Sequence, residues 1–467
     1  MKNPSKKHSL VPIFIVASFF CSPNYSFAEG NNASLTLESA MNMAENYDFT
    51  ARMASNSQDI SQGKADEQLR SMFPNISLSG NYLRYSDQVN KAVGTSVGAQ
   101  YGLPGTTVSS AGFTLTQPLI GLIPLYLSLQ AASAQTEAAL HNKDQSKAEA
   151  RFLGANSFIN AVKAIQLLNV ADSSVKVAQI QLHDGVAQFN AGKLTNADVL
   201  KFKLNVETSK TNFLQAETTA KITLVTLAEV TGLKDPTLIT LPKNYTSVWE
   251  KKKIQTQNLG DYVNKALTSR NDLQAVKSSI NAAKYQTSVA ESSYLPTVNF
   301  VANYSRNFEA TDINSPAIPG YSSGANYSKS DIQDVFYYGI QFSWNLLDWG
   351  VRQSKISEAV ASESSANIQE EQAESQIKID VTNNYLKLQD AYQTLDSAKV
   401  SVDYAKDVFS QMEAQFNNGQ ATTTDVLSAS NDRTSALAKL ANAIGDLDLA
   451  WFYLQKSVGD RLTTLDK

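Results

Sequence analysis

Cysteine and histidine, the side chains of thiol chemistry and of zinc sites, are scarce in this chain. Cys21 is the only cysteine, and the three histidines are His8, His141 and His183. Thiol chemistry, disulfides and a multi-histidine zinc site are thereby nearly excluded. His141 and His183 fall inside long helical stretches and read as solvated faces, so no catalytic residue, cofactor or metal is expected. One acidic pattern occurs twice, ending in Asp198 and in Asp425: Thr195-x-x-Asp198 and Thr422-x-x-Asp425. A threonine with an acid three residues on caps a helix start, since the hydroxyl takes one free backbone N–H and the carboxylate reaches back to another. Gly192 and Gly419, three residues before each threonine, stand where a helix ends in a left-handed cap. The expected chemistry is a carboxylate at each of two turns between helices.

The elements that hold these turns follow from composition and repetition. A length of 467 residues suggests roughly three ordinary domains. Yet hydrophobic residues are 42%, charged residues 18%, and only 12 prolines and 21 glycines interrupt the chain, so long unbroken elements are expected. Residues 1–28 read as a signal peptide. Lys2, Lys6 and Lys7 precede an apolar run from Leu10 to Phe20, and Ser26-Phe27-Ala28 gives the small-x-small pattern for cleavage between Ala28 and Glu29. The alternative, an uncleaved anchor, meets an apolar run about half the ~20 residues needed to span a bilayer. Phe19 and Phe20 before Cys21 disfavour lipid attachment there. Loss of those three lysines leaves 37 basic against 44 acidic residues, a balance of −7 that is no nucleic-acid footprint. No later stretch is apolar for the length of a membrane helix, so any membrane passage must use strands.

Two blocks of sequence recur. Phe73-Pro74-Asn75-Ile76 through Arg84 returns 222 positions later as Leu295-Pro296-Thr297-Val298 through Arg306, and Gln188-Phe189-Asn190 through Asp198-Val199-Leu200 returns 227 positions later as Gln415-Phe416-Asn417 through Asp425-Val426-Leu427. The chain reads as a tandem duplication. Residues 29–232 form the first repeat, 233–258 a linker with Pro236, Pro242 and Lys251 to Lys253, 259–459 the second repeat, and 460–467 a short tail. Each repeat reads as a helix (36–72 and 259–294), two strands, a very long helix (125–189 and 350–416), a turn (190–197 and 417–424) and a second helix (197–230 and 424–458). Apolar residues three and four apart from Phe158 to Phe189, matched from Tyr385 to Phe416, mark a coiled-coil seam.

The strands are expected at about 74–86, 107–119, 296–308 and 335–347, with Gly/Ser/Asn-rich loops at 87–106 and 309–333. Alternation puts Ile76, Leu78, Tyr82, Phe113, Leu115, Val298, Phe300, Tyr304, Phe342 and Trp344 on one greasy face, with polar residues on the other. Strands of this length suit a tilted membrane crossing. Four cannot close a barrel, and open edges in lipid leave backbone groups unpaired, so several chains must share one barrel. A soluble sheet covering a helix end is the blander alternative. The wet opposite face and the flanking Tyr85, Tyr126, Trp344 and Trp349 favour the barrel.

These features resemble the outer-membrane efflux proteins of the TolC family. The duplicated layout, Leu295-Pro296-Thr297-Val298 at a strand start, and the Phe-Asn-x-Gly to Asp-Val-Leu tip in both copies carry the resemblance across roughly 35–460. It implies a mainly α fold with a small membrane β-barrel portion. It further implies that three chains form a homotrimer with a shared 12-stranded barrel, which antiparallel coiled-coil hairpins continue as an α-barrel through the periplasm of a Gram-negative bacterium. The linker and tail form an equatorial belt, from which part is missing if the tail ends so soon.

The resemblance further implies that tip carboxylates face an aperture, which makes Asp198 and Asp425 gate residues in addition to caps; capping alone remains the other reading. Gly192, Lys193, Leu194, Thr195, Gly419, Gln420, Ala421 and Thr422 become the tip surface for a periplasmic adaptor (membrane fusion) protein. Some relatives tie the tips shut with a second acid and a basic residue, and Ser428 and Ala421 stand in those places here. The implied function is the exit duct of a tripartite efflux pump or type I secretion system, with an inner-membrane transporter of RND, ABC or MFS type, embedded in outer-membrane lipid, and with no enzyme activity or nucleic-acid partner. The alternative is a structural coiled-coil envelope fibre or adhesin anchored by a short barrel.

Overall fold

A computed structural model describes residues 35–84, 107–242, 247, 258–315 and 325–460. The expected signal peptide with its cleavage point at Ala28 and Glu29, the loop 87–106, most of the linker and the last seven residues lie outside them. The chain is mainly helical. In order, it forms α1 (Leu37–Tyr47), α2 (Phe49–Ser71), β1 (Asn75–Arg84), β2 (Thr107–Pro118), α3 (Leu122–Asn190), α4 (Asn196–Thr231), α5 (Leu259–Ser269), α6 (Asn271–Ser292), β3 (Thr297–Ser315), β4 (Ala325–Ser343), α7 (Val351–Asn417) and α8 (Thr423–Val458). The same succession of elements thus occurs twice.

Helices α3 and α7 hold 69 and 67 residues, about 100 Å each at 1.5 Å per residue. No proline falls between positions 125 and 235 or after 319, so beyond the first turn of α3 nothing in either long helix removes a backbone donor. Pro124 stands in the first turn of α3, where its missing N–H has no helical acceptor in any case. Each long helix folds back on its short successor, α3 on α4 and α7 on α8. Toward the sheet α3 packs on α2 and α6, and α6 packs on α7.

The core sits at mid-length. Met41, Phe158, Ile159, Leu227 and Phe452 bring α1, α3, α4 and α8 together, and Leu241 of the linker joins them. Beside it Leu273, Ile377, Leu388, Leu395 and Leu447 join α6, α7 and α8. Buried Ser247 of the linker donates its hydroxyl to the fully buried Asp448 of α8.

The helices expected at 36–72 and 259–294 are each broken, at Asp48 and Arg270. At both positions the backbone turns extended (ψ 130° and 125°). Asp48 recaps α2 by accepting from the Ala51 N–H at 2.8 Å. The breaks make room for helix ends. Gly232, which ends α4 at φ +74°, lies against the Tyr47 ring, and Gly459, which ends α8 at φ +79°, lies against Arg270.

The four strands form one antiparallel sheet in the order β1-β2-β3-β4. β3 and β4 run longer than expected, so much of the stretch 309–333 is ladder instead of loop, with Thr311 opposite Lys329 and Ile313 opposite Tyr327. Its residues are mostly polar and follow no apolar alternation, so backbone pairing forms it without the pattern by which strands are recognised. β4 ends at Ser343, leaving Trp344 just outside the strand and not within 335–347.

Candidate functional site at the hairpin tips

The two tips share one backbone plan. In the first, the Lys193 N–H reaches the Gln188 carbonyl at 2.9 Å and the Gly192 N–H reaches Phe189 at 2.9 Å; in the second, Gln420 reaches Gln415 at 2.8 Å and Gly419 reaches Phe416 at 2.9 Å. Both glycines are left-handed, at φ +72° and +74°, a conformation open to glycine without a Cβ clash. The capping boxes are complete. Asp198 N–H donates to the Thr195 Oγ1 at 3.2 Å, while its carboxylate accepts from the Thr195 N–H at 3.2 Å and hydroxyl at 2.6 Å. The matching distances at Thr422 and Asp425 are 3.3, 2.9 and 2.7 Å. The threonine hydroxyl is the largest influence holding each carboxyl below its ordinary value, and both are ionised at neutral pH.

Gly192, Lys193, Thr195, Gly419, Gln420 and Thr422 are exposed, whereas Leu194 and Ala421 are half-buried against a small core. That core was not anticipated from sequence. Phe202 of α4 is fully buried and meets Phe416 of α7 edge-on, with ring centroids 5.9 Å apart. It enters through a notch in α3, because a Cβ at Gly185 would lie 2.6 Å from its ring. Near the tip the buried residues of α3 are therefore Ala178, Gln181 and Gly185. The expected seam ran through Gln179, Leu182 and Val186, of which Gln179 and Val186 are exposed; small side chains let α4 approach one residue earlier.

Polar contacts also join the hairpins. The Lys201 ammonium donates to the Thr424 hydroxyl at 3.4 Å and lies 3.5 Å from Asp198, and the Gln188 amide donates to Asn417 at 3.3 Å. Ser428 is exposed and forms no part of these links. Lys201 is its counterpart in the first repeat, so comparing the copies was the signal that could have found it. Among the described residues no group of three His, Cys, Asp or Glu side chains is placed to hold a metal.

At the opposite end the register gathers the greasy residues. Ile76, Leu115, Ala302 and Tyr338 form one row across the sheet, Leu78, Phe113, Tyr304 and Phe336 the next, and Val298 and Phe300 face Phe342 and Ile340. Tyr82 lies farther up the same face, opposite Ser109. The other face carries Ser77, Thr114, Asn303 and Tyr337 in a row. The greasy face is exposed in the single chain, with Ile76 at 69% and Ile340 at 70%. No helix among the described residues is long and apolar enough to cross a membrane.

With this geometry in hand, comparison with known proteins is direct. The outer membrane protein TolC of Salmonella enteritidis is 23% identical over 394 residues, covering 84% of this chain and 75% of that one. The outer membrane efflux protein BepC of Brucella suis biovar 1 is 22% identical over 386 residues, covering 80% and 77%. The crystal structure of the outer membrane protein VceC from Vibrio cholerae superposes with a TM-score of 0.73 at 15% identity, covering 91% and 96%. The family model described as outer membrane efflux protein matches residues 41–233 and 262–460, nearly all of both repeats. The chain belongs to the outer membrane efflux protein family.

Proposed function

We propose that three copies of this chain form an exit duct through the outer membrane, with its periplasmic aperture at the hairpin tips. The observation that carries this reading is the placement of an apolar sheet face and two linked acidic tips at opposite ends of helices on the order of 100 Å long. A four-stranded sheet with two free edges is incomplete in lipid, and three of them supply twelve strands, an even number sufficient for closure. Ile76, Leu78, Tyr82, Phe113, Leu115, Val298, Phe300, Tyr304 and Phe342 then meet lipid, and the serine- and asparagine-rich face lines water.

At the other end Asp198 and Asp425 of three protomers would gather six carboxylates around one constriction, a field that draws cations and repels anions. The exposed tip residues Gly192, Lys193, Gly419 and Gln420 are the surface for a periplasmic adaptor protein, whose inner-membrane transporter supplies the energy. Opening must break the links of Lys201 to Thr424 and of Gln188 to Asn417. Expulsion of drugs or secreted polypeptide is thus separate from any chemistry within the chain.

Single-channel recording in a planar bilayer tests this reading. A small cation-preferring conductance is expected, blocked by a trivalent cation from the tip side alone and freed of that block in the double variant Asp198→Ala, Asp425→Ala. A bilayer that stays silent after confirmed insertion would overturn the duct and favour an anchored fibre.

A further inference from the structure

The wet face of the sheet carries no charged residue over the four rows that run from Asn75 to Asn81 of β1. Hydroxyls and amides dominate it, and several are tied to one another: the Asn303 amide donates to the Thr114 hydroxyl at 2.8 Å, and the Ser110 hydroxyl donates to Asn81. Within these rows apolar side chains stand only on β3 and β4, as Val301, Val335 and Tyr337. Tyr337 is the one aromatic residue among them.

The three surround a gap. Val335, Tyr337 and Gly339 follow one another along the wet side of β4, and Val301 lies opposite Gly339, diagonal to Tyr337 and within reach of its ring. Tyr337 is 55% exposed and Val335 38%. A Cβ at Gly339 would meet no atom within 4 Å, so open space adjoins Tyr337 on its own face. The first repeat has no such place. Ser110 stands where Tyr337 stands in the second, and Gly112 where Gly339 stands, but a Cβ at Gly112 would lie 2.7 Å from the Tyr304 carbonyl oxygen.

What could lie on this patch is limited by its neighbours. In the shared barrel proposed above, on which this inference rests, the wet face lines the lumen and the free edge of β4 is joined by β1 of the next copy. That strand brings Asn75, Ser77, Ser79 and Asn81 to the wet face, side chains too small to cover the Tyr337 ring. The occupant is then a molecule in transit. A flat ring gains by stacking on a phenol face, and a positive charge on it gains further from the negative face of the aromatic system. No lysine or arginine in these rows opposes such an ion. We propose that Tyr337, with Val301 and Val335 around the gap at Gly339, is a contact site for flat aromatic cations passing through the barrel.

Equilibrium dialysis of N-methylacridinium against the full-length protein in detergent, with a protein-free micelle blank, tests the site. Tyr337→Ser is expected to weaken binding about two- to fivefold, the worth of one exposed aromatic face to a cation, and Tyr337→Phe to keep it. Hexylammonium, a cation without a ring, is expected to bind alike to the wild type and to Tyr337→Ser. An equal loss of both ions would make Tyr337 a structural residue and overturn the site. Should Tyr337→Ser fold poorly, Gly339→Val gives a second reading: it fills the gap, favours the strand, and is expected to weaken acridinium binding with the thermal midpoint unchanged. Acridinium binding that is the same in the wild type, Tyr337→Ser and Gly339→Val overturns the site and leaves the duct standing. Loss with Tyr338→Leu on the greasy face, and not with Tyr337→Ser, overturns the assignment of the two faces and the duct with it.

Discussion

The ammonium of Lys201 lies 3.4 Å from the Thr424 hydroxyl, joining the short helix of the first hairpin to the short helix of the second. Its other neighbour is Asp198, 3.5 Å away in its own helix. Both contacts are half-exposed, so each contributes no more than about 1 kcal/mol. Links of that size suit the opening at the tips proposed above.

Lys201→Met should weaken this join without emptying the core beneath it. The expected result is a higher single-channel conductance and more frequent open intervals, with the helical circular dichroism unchanged. Gln188→Leu should act in the same direction, since it removes the link to Asn417, and the two together should exceed either alone.

Gly185→Ala should be destabilising although alanine is the better helix former. The added methyl would lie 2.6 Å from the Phe202 ring, and overpacking of this kind costs about 1–3 kcal/mol. Thermal melting in detergent would read it. At the corresponding positions of the second repeat stand Met412 and Ala429, large where the first is small and small where the first is large. The pair Gly185→Met, Phe202→Ala should therefore recover much of the stability lost in Gly185→Met, while surrendering the contact with Phe416.

Leu395→Ala should cost about 2–5 kcal/mol. Val381, Leu388, Leu395, Val402, Phe409 and Phe416 are buried at intervals of seven along α7, the repeat of a coiled-coil seam. Ser397→Ala, two residues away on the exposed side, should lie within about 0.5 kcal/mol of the wild type. Denaturant midpoints of the two variants provide the comparison.

The capping boxes give a pH signature. Asp198 and Asp425 titrate below their ordinary 3.8 in the folded chain. Their contribution is present above that ordinary value and is lost as pH falls through the depressed folded value. Melting curves of Asp425→Asn and the wild type should thus differ near pH 7 and converge only once the pH has fallen through the depressed folded value. Thr422→Ala, which removes the cap itself, should cost about 1 kcal/mol at neutral pH.

The long helices are legible in the sequence because their signals are local: proline is absent, and apolar residues return at helical spacing. The tip caps are legible for the same reason, since Thr, Asp and Gly act within a few residues of themselves. The greasy sheet face follows from alternation over single strands. The breaks at Asp48 and Arg270 are different in kind. They answer Gly232 and Gly459, far away in sequence, and nothing next to either residue announces them. Phe202 in the notch of Gly185 and Lys201 at Thr424 are likewise pairings between helices. Only the mismatch between repeats, Lys201 against Ser428 and Gly185 against Met412, hints at them. The polar extension of β3 and β4 has neither hydrophobic period nor turn signal within it, and backbone hydrogen bonding alone defines it.

Helix α3 belongs by sequence to the first repeat, yet it packs on α6 and α8 of the second as well as on α1, α2 and α4 of its own. The halves are interlocked along most of a helix, so the peptide chain between them is not what keeps them together. Two fragments parted within Lys251 to Lys253 are expected to reassociate when produced together, as complementing pieces of one protomer. The same interlock removes the option of the repeats swinging apart as rigid bodies about that linker. In the proposed duct, widening at the tips would then come from bending of the hairpins below the core, a spring in which the energy of opening is distributed over many turns of helix.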